Sequence, residues 1–300
     1  MSRDVEALPF GPMARIADLL AAGRTWSFEF FPPKTEEATR ALEKAIHELA
    51  PLAPSFVSVT YGALGSTREV TREIVERINA EQAFPAMAHL TCVGHTRADV
   101  DALLDHYAAH GVQNILALGG DPPADGRVPD GDFAFASDLL DVVRAHPAGF
   151  SVGVAAHPEL HPRSPDRESD RRHLAAKLAN ADFAVTQFFF TVDDYARMVD
   201  ELAALGCDKP VLPGIMPVIN VAGIKRMAGM NNTALPAALV TRLDAAESAD
   251  EVADIGVEVA TELASALLDL GVPGVHLYAM NRSTSVRRIY ENLGQLPSKG

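Results

Sequence analysis

Short apolar runs alternate with amphipathic stretches along almost the whole chain. The runs are Trp26–Phe31, Phe56–Tyr61, Ala86–Cys92, Asn114–Leu118, Ser151–Ala156, Phe183–Phe190, Val211–Val218 and Val275–Met280. They are rich in β-branched and aromatic residues, which suit strands. Several are apolar at successive positions, as parallel strands covered by helices should be. Between them the period changes to that of a helix. In Arg97–His110 the stripe is Val100, Leu103, Leu104 and Tyr107, with Thr96 placed to cap its start and Gly111 to end it. In Asp193–Leu205 it is Tyr195, Met198, Val199 and Leu202, ended by Gly206. Glu36–Leu49 and Glu251–Leu270 repeat the design.

Eight strand–helix units in about 270 residues can close into one (β/α)8 barrel, the TIM-barrel form of the α/β class. An open doubly wound sheet is the competitor. It usually carries a Gly-rich phosphate turn after its first strand, and here that strand runs into Phe31-Pro32-Pro33-Lys34. The expected organisation is an N-terminal segment, 1–24, with a short helix packing on the barrel, and a catalytic barrel over 25–300. Two long loops, Asp121–Phe135 and His157–Glu168, leave the C-terminal ends of strands four and five. Barrel active sites are built at those ends.

Composition narrows the function classes. Hydrophobic residues make up 48% of the chain, enough for a sizeable core, and the net charge is −14. Such an acidic surface repels phosphate backbones, so nucleic acid is not expected as a partner. Cys92 and Cys207 lie on separate elements and read as reduced thiols. No run reaches the roughly 18 apolar residues of a membrane span, and no secretory signal opens the chain. A cytoplasmic protein is expected, as monomer or homo-oligomer.

Three polar residues interrupt apolar surroundings near strand ends. Glu29 sits among Phe28, Phe30 and Phe31 and faces away from Phe28 and Phe30. In an apolar barrel mouth, desolvation raises a carboxyl pKa, so Glu29 could hold a proton for a general acid step. The alternative is a structural pair with a barrel Arg or Lys. Asp121 follows Gly119-Gly120, where bare backbone lets a ligand approach and a carboxylate can accept from ring N–H donors. It could equally be a turn aspartate before Pro122-Pro123. Gln187, between Thr186 and Phe188-Phe189-Phe190 in strand six, could read a ligand edge or bond to backbone in the core.

His157 and His161 form H-x3-H in a loop, and His89 lies on strand three. They define a metal-dependent hydrolase as a competing hypothesis, but no carboxylate completes the set, and no metal is expected. No G-x-S-x-G elbow, Walker loop or G-x-G-x-x-G turn occurs.

Taken together, several stretches resemble methylenetetrahydrofolate reductase. They are Ser27–Lys34 (SFEFFPPK), Phe56–Ala63 (FVSVTYGA), Ala88–Cys92 (AHLTC), Gly119–Pro123 (GGDPP), Ala136–Leu140 (ASDLL), Thr186–Phe190 (TQFFF), Pro213–Val218 (PGIMPV) and Asn281-Arg282. They fall in the family's order from about Thr25 to Leu293. The resemblance implies a (β/α)8 barrel that reduces 5,10-methylenetetrahydrofolate to 5-methyltetrahydrofolate with NADH or NADPH. It makes Glu29 the general acid at N10 and Asp121 a catalytic and pterin-binding aspartate. Gln187 would contact the folate, and Arg282 its glutamate tail. Thr60, His89, Gly119, Gly120, Ala136, His157, His161, Asp170 and Lys177 fall at redox-cofactor positions.

The chain departs from the family's pattern mainly around the flavin. Gly119 and Ala176 stand where arginines are usual, and His157 and Phe135 replace tyrosines. On the folate side Gly223 and Met227 replace a glutamine and a phenylalanine. The clustering implies direct hydride transfer from NADH to the folate, without FAD. The alternatives are an FAD-dependent ping-pong version and a folate-binding barrel that has lost catalysis. The sequence carries no appended regulatory domain, so control by a distant effector is not expected.

Overall fold

The computed structural model describes residues 11, 13–61, 68–120 and 131–296. The strands are β1 (Thr25–Phe30), β2 (Phe56–Val59), β3 (Ala86–Thr91), β4 (Asn114–Leu118), β5 (Ser151–Ala156), β6 (Phe183–Thr186), β7 (Val211–Leu212), β8 (Gly214–Ile215) and β9 (Gly274–Tyr278). All pair in parallel, in the order β7-β6-β5-β4-β3-β2-β1-β9-β8. Segments β7 and β8 are the halves of one stave on either side of Pro213. The sheet therefore returns to itself, and the chain is a (β/α)8 barrel.

Pro213 explains the break. Without an N–H it cannot donate to the ladder. Its carbonyl still accepts from His276 N at 3.0 Å. Gly214 N then turns to the side-chain Oγ1 of Thr186 at 2.8 Å. Other runs end earlier than their apolar pattern predicts, among them β2 at Val59, β6 at Thr186 and β9 at Tyr278. Gln187 accordingly lies just past its strand. Its Oε1 accepts from Phe188 N at 3.0 Å, a local bond that competes with continued pairing.

The helices are α1 (Ile16–Ala22), α2 (Glu36–Leu49), α3 (Arg68–Glu81), α4 (Arg97–Ala109), α5 (Ala136–Ala145), α6 (Arg167–Asn180), α7 (Val192–Ala204), α8 (Val221–Asn231), α9 (Ala237–Ala245), α10 (Ala249–Leu270) and α11 (Ser283–Asn292). Their ends follow the local chemistry. Thr96 Oγ1 accepts from Asp99 N at 3.2 Å while Asp99 accepts from Thr96 N at 2.9 Å, a closed capping box on α4. Gly111 and Gly206, at φ +74° and +76°, carry the chain out of α4 and α7 in the left-handed region.

Alternation along the strands divides two cores. Phe28 and Phe30 point outward, and Phe28 meets Tyr290 of α11 edge-on at 5.5 Å. They belong to the main core between staves and helices, with Leu42, Val75, Val100 and Leu104. Inside the barrel, Phe56, Met87, Leu116, Phe183 and Leu212 pack with Ile16 and Leu19 of α1. Helix α1 is pinned there. Ile16 N donates to Asn114 Oδ1 at 2.7 Å, Asn114 Nδ2 to Ala14 O at 2.9 Å, and Ala17 N to Ser151 Oγ at 3.0 Å. Asn114 and Ser151 open β4 and β5, so α1 lies across the N-terminal end of the barrel. The mouth is at the other end.

Candidate active site

Above the apolar floor the barrel interior turns polar. Ser27 and Glu29 of β1, Ser58 of β2, His89 of β3 and His276 of β9 all face inward, and all are buried. Strand register brings them together, since Ser27 pairs with His276 and Glu29 with Ser58. Glu29 Oε2 accepts from Ser58 Oγ at 3.3 Å and lies 3.5 Å from His276 Nε2. His89 Nε2 is 3.3 Å from the same oxygen, a charge contact without hydrogen-bond alignment. His276 Nδ1 is 2.8 Å from Ser27 Oγ, and its ring stacks on Phe56 at 6.1 Å.

The expected rise in the Glu29 pKa is corrected by this arrangement. Burial pushes it up, but the His276 hydrogen bond and the positive charge of His89 outweigh burial and hold it down at about 2. The sequence shows the phenylalanines around Glu29 but not the two imidazoles that strand pairing brings to it. Nor is its partner the Arg or Lys of the structural alternative. The mouth holds a buried carboxylate–imidazole cluster, with Glu29 as one member.

Several of the other expected residues follow the C-terminal ends of the strands. Thr60 follows β2, and its carbonyl accepts from Thr71 Oγ1 at 3.0 Å. Gly119 and Gly120 follow β4. Gly120 has φ +79°, and a Cβ there would press on Val93 and Thr91 at 3.0 and 3.1 Å. Ala136 opens α5 next to Phe135, which is 61% exposed. His157 and His161 touch edge to face at 4.5 Å. Burial, together with the charges of His161, Lys177 and Arg171, pushes His157 down to about 3, so its ring is neutral. Lys177 donates to Ala155 O at 3.2 Å, and burial lowers its pKa.

Asp170 is turned inward. Its carboxylate accepts from Ser164 Oγ at 2.7 Å and His161 N at 3.3 Å, and it pairs with Arg171. Arg171 also donates to the carbonyls of His157 (3.1 Å) and Pro158 (2.6 Å). Together they clamp the loop after β5 onto α6. Gln187 is half-buried beyond β6, and Met227 of α8 packs with Phe188, Met216 and Tyr278. Arg282 is exposed at the N-terminus of α11. Before it, Asn281 ties the ends of β9 and β1 by exchanging two 2.8 Å hydrogen bonds with the Phe31 backbone. Asp121 lies outside the described residues.

The histidines of the hydrolase hypothesis are not gathered. His89 is at Glu29, while His157 and His161 sit over β5. Among the described residues one group has metal-ligand spacing, Glu76, His106 and His110. It lies on α3 and at the end of α4, on the outside of the barrel.

Fold and mouth define the class: an α/β-barrel protein with a buried carboxylate–imidazole cluster at the C-terminal end of its strands. The family described as "Methylenetetrahydrofolate reductase" matches residues 15–294. An Arabidopsis thaliana protein named "Methylenetetrahydrofolate reductase (NADH) 1" is 37% identical over 296 residues, which are 93% of this chain and 50% of that protein. The Escherichia coli (strain K12) "5,10-methylenetetrahydrofolate reductase" is 36% identical over 274 residues, 90% of this chain and 91% of that one. The chain belongs to the methylenetetrahydrofolate reductase family. It spans about half the length of the plant relative.

Solved structures agree on the fold. An uncharacterised Clostridium thermocellum protein, described as binding two copies of 5-methyl-5,6,7,8-tetrahydrofolic acid, superposes with a TM-score of 0.66 at 14% identity. The match covers 92% of this chain and 96% of that one. An oxaloacetate acetylhydrolase superposes at 0.53 with 14% identity, over 97% and 89% of the two chains.

Proposed function

We propose that this protein reduces 5,10-methylenetetrahydrofolate to 5-methyltetrahydrofolate with NADH or NADPH, without flavin, and that Glu29 delivers the proton to N10. The observation that carries this is the Glu29–His89–His276 cluster at the mouth of a chain of this family. The methylene carbon bridges N5 and N10. Protonation of N10 lets the carbon–N10 bond break with its electron pair going to nitrogen, which leaves an N5 iminium. The reduced nicotinamide supplies the hydride that turns the methylene into a methyl group.

In this chemistry the protein binds, orients and moves a proton. In the proposed step the cluster holds the proton that Glu29 passes to N10. As the proton leaves, the buried negative charge stays compensated by the imidazoles. Gln187 and Asp121 are assigned to the pterin and Arg282 to the glutamate tail. Gly120 and Lys177 suit a dinucleotide pyrophosphate, with bare backbone for close approach and a cation beside it. Thr60, Ala136, His157 and His161 complete that rim.

Flavin independence draws on the same rim. Phe135 has no hydroxyl and turns outward, His157 is neutral, and Asp170 is occupied by its own loop. The test is a visible spectrum of the purified protein, followed by a turnover assay with NADH and no added FAD. Colourless protein with full turnover is the expected result. A yellow protein, or turnover only after FAD is added, supports the FAD-dependent version. Folate binding without turnover under either condition would make it a non-catalytic folate binder.

A further inference from the structure

The loop after β5 carries an arginine that no role above uses. Arg163 is exposed, and its backbone N donates to His161 Nδ1 at 3.1 Å. Its guanidinium reaches across to the end of β4. A Cβ built on Gly119 would lie 3.1 Å from Arg163 Nη2. The two neighbouring glycines thus do different things. Gly120 is held in the left-handed region at φ +79° and crowded by Val93 and Thr91. Gly119 is not in that region, so its backbone does not call for glycine. What glycine supplies at 119 is space, and Arg163 lies against it.

Two cations lie near that space. The chain carries −14 overall. Here Arg163 and Lys177 are close enough that the arginine helps burial lower the lysine pKa. Cys92 Sγ donates to Gly119 O at 3.0 Å, which occupies that carbonyl. Asp170, the acid nearest Lys177, is taken up by Ser164, His161 N and Arg171. Two cations beside bare backbone suit a doubly charged phosphate group.

We propose that Arg163, in the space left by Gly119, supplies with Lys177 the cationic contact to the pyrophosphate of a dinucleotide. The position that lacks an arginine on β4 is served by one from the next loop. The assignment rests on the reductase reading for the identity of the dinucleotide, NADH or FAD.

The test is calorimetric titration of the full chain with NADH, FAD, adenosine and inorganic pyrophosphate. Arg163→Gln should weaken NADH and pyrophosphate about tenfold or more, the size expected for losing one charge-assisted contact. It should leave adenosine unchanged and flatten the salt dependence. Adding Gly119→Arg to Arg163→Gln should recover most of the loss. Unchanged NADH and pyrophosphate affinity in Arg163→Gln overturns the proposal. So does an equal loss for adenosine, or a double variant that recovers nothing. Methylenetetrahydrofolate turnover, measured alongside, separates the two inferences. Arg163-dependent pyrophosphate binding without turnover keeps the cation site and removes the reductase reading. Turnover with Arg163-independent binding does the reverse.

Discussion

His276 stands 3.5 Å from Glu29 and keeps its other ring nitrogen 2.8 Å from Ser27, so one imidazole joins two residues of the adjacent strand. Removing it takes away the first of the effects that lower the Glu29 pKa and leaves burial, which raises it. In His276→Ala the carboxyl should titrate higher than in the wild type. Infrared difference spectra would show a protonated carboxyl band at a pH where the wild type has none. An unchanged band position and midpoint would mean that His276 does not set the proton affinity.

In the proposed mechanism Glu29→Gln keeps the shape of the site and removes the proton that Glu29 would deliver. Turnover should fall by about 10²- to 10⁴-fold, the usual contribution of a positioned acid. Folate affinity should stay within about threefold of wild type, because the amide still fills the same volume. Single-turnover kinetics and equilibrium titration separate the two quantities. Near wild-type turnover would remove Glu29 from the mechanism.

The low pKa of Glu29 also ties stability to pH. The folded value, about 2, lies below the ordinary 4.5. Its ionisation therefore stabilises the fold fully above about pH 4.5 and progressively less as pH falls towards 2. The contribution is about 3 kcal/mol by linkage. Urea unfolding of wild type and Glu29→Gln should differ most above pH 5, and the gap should close in acid. A gap that is constant from pH 3 to 6 would contradict the assignment.

At the far end of the barrel, Asn114 satisfies Ile16 N and Ala14 O at once. Asn114→Ala leaves a buried N–H unpaired and should cost about 1–3 kcal/mol. Helix α1 should loosen before the barrel does. Hydrogen exchange at Ile16 and Leu19 would report this as a selective loss of protection. Uniform loss throughout the chain would mean that α1 and the staves unfold together.

The barrel itself was legible because α2, α4, α7 and α10 and nearly every stave have their own local pattern. Thr96, Gly111 and Gly206 mark ends that the structure keeps. What is not local was harder to read. Pro213 splits a run that looks continuous, since hydropathy is blind to a missing N–H. Glu29 stands out because it breaks a phenylalanine run. Ser27, Ser58 and His276 do not, because a single small or polar residue in a strand is ordinary. Only the register, Ser27 with His276 and Glu29 with Ser58, makes them one cluster. A search for polar residues in matching phase on adjacent strands would have found them. Arg163 is less visible still. Its place depends on the absence of a side chain on another strand.

Helix α1 closes the lower end of the barrel with Ile16 and Leu19, which makes the molecule a cup with one rim. Everything that reaches Glu29 must cross that rim and leave by it. In a reaction between two bound molecules, the one seated deeper has to arrive first and depart last. A compulsory order of binding would then be set by seven residues at the end of the barrel opposite the mouth.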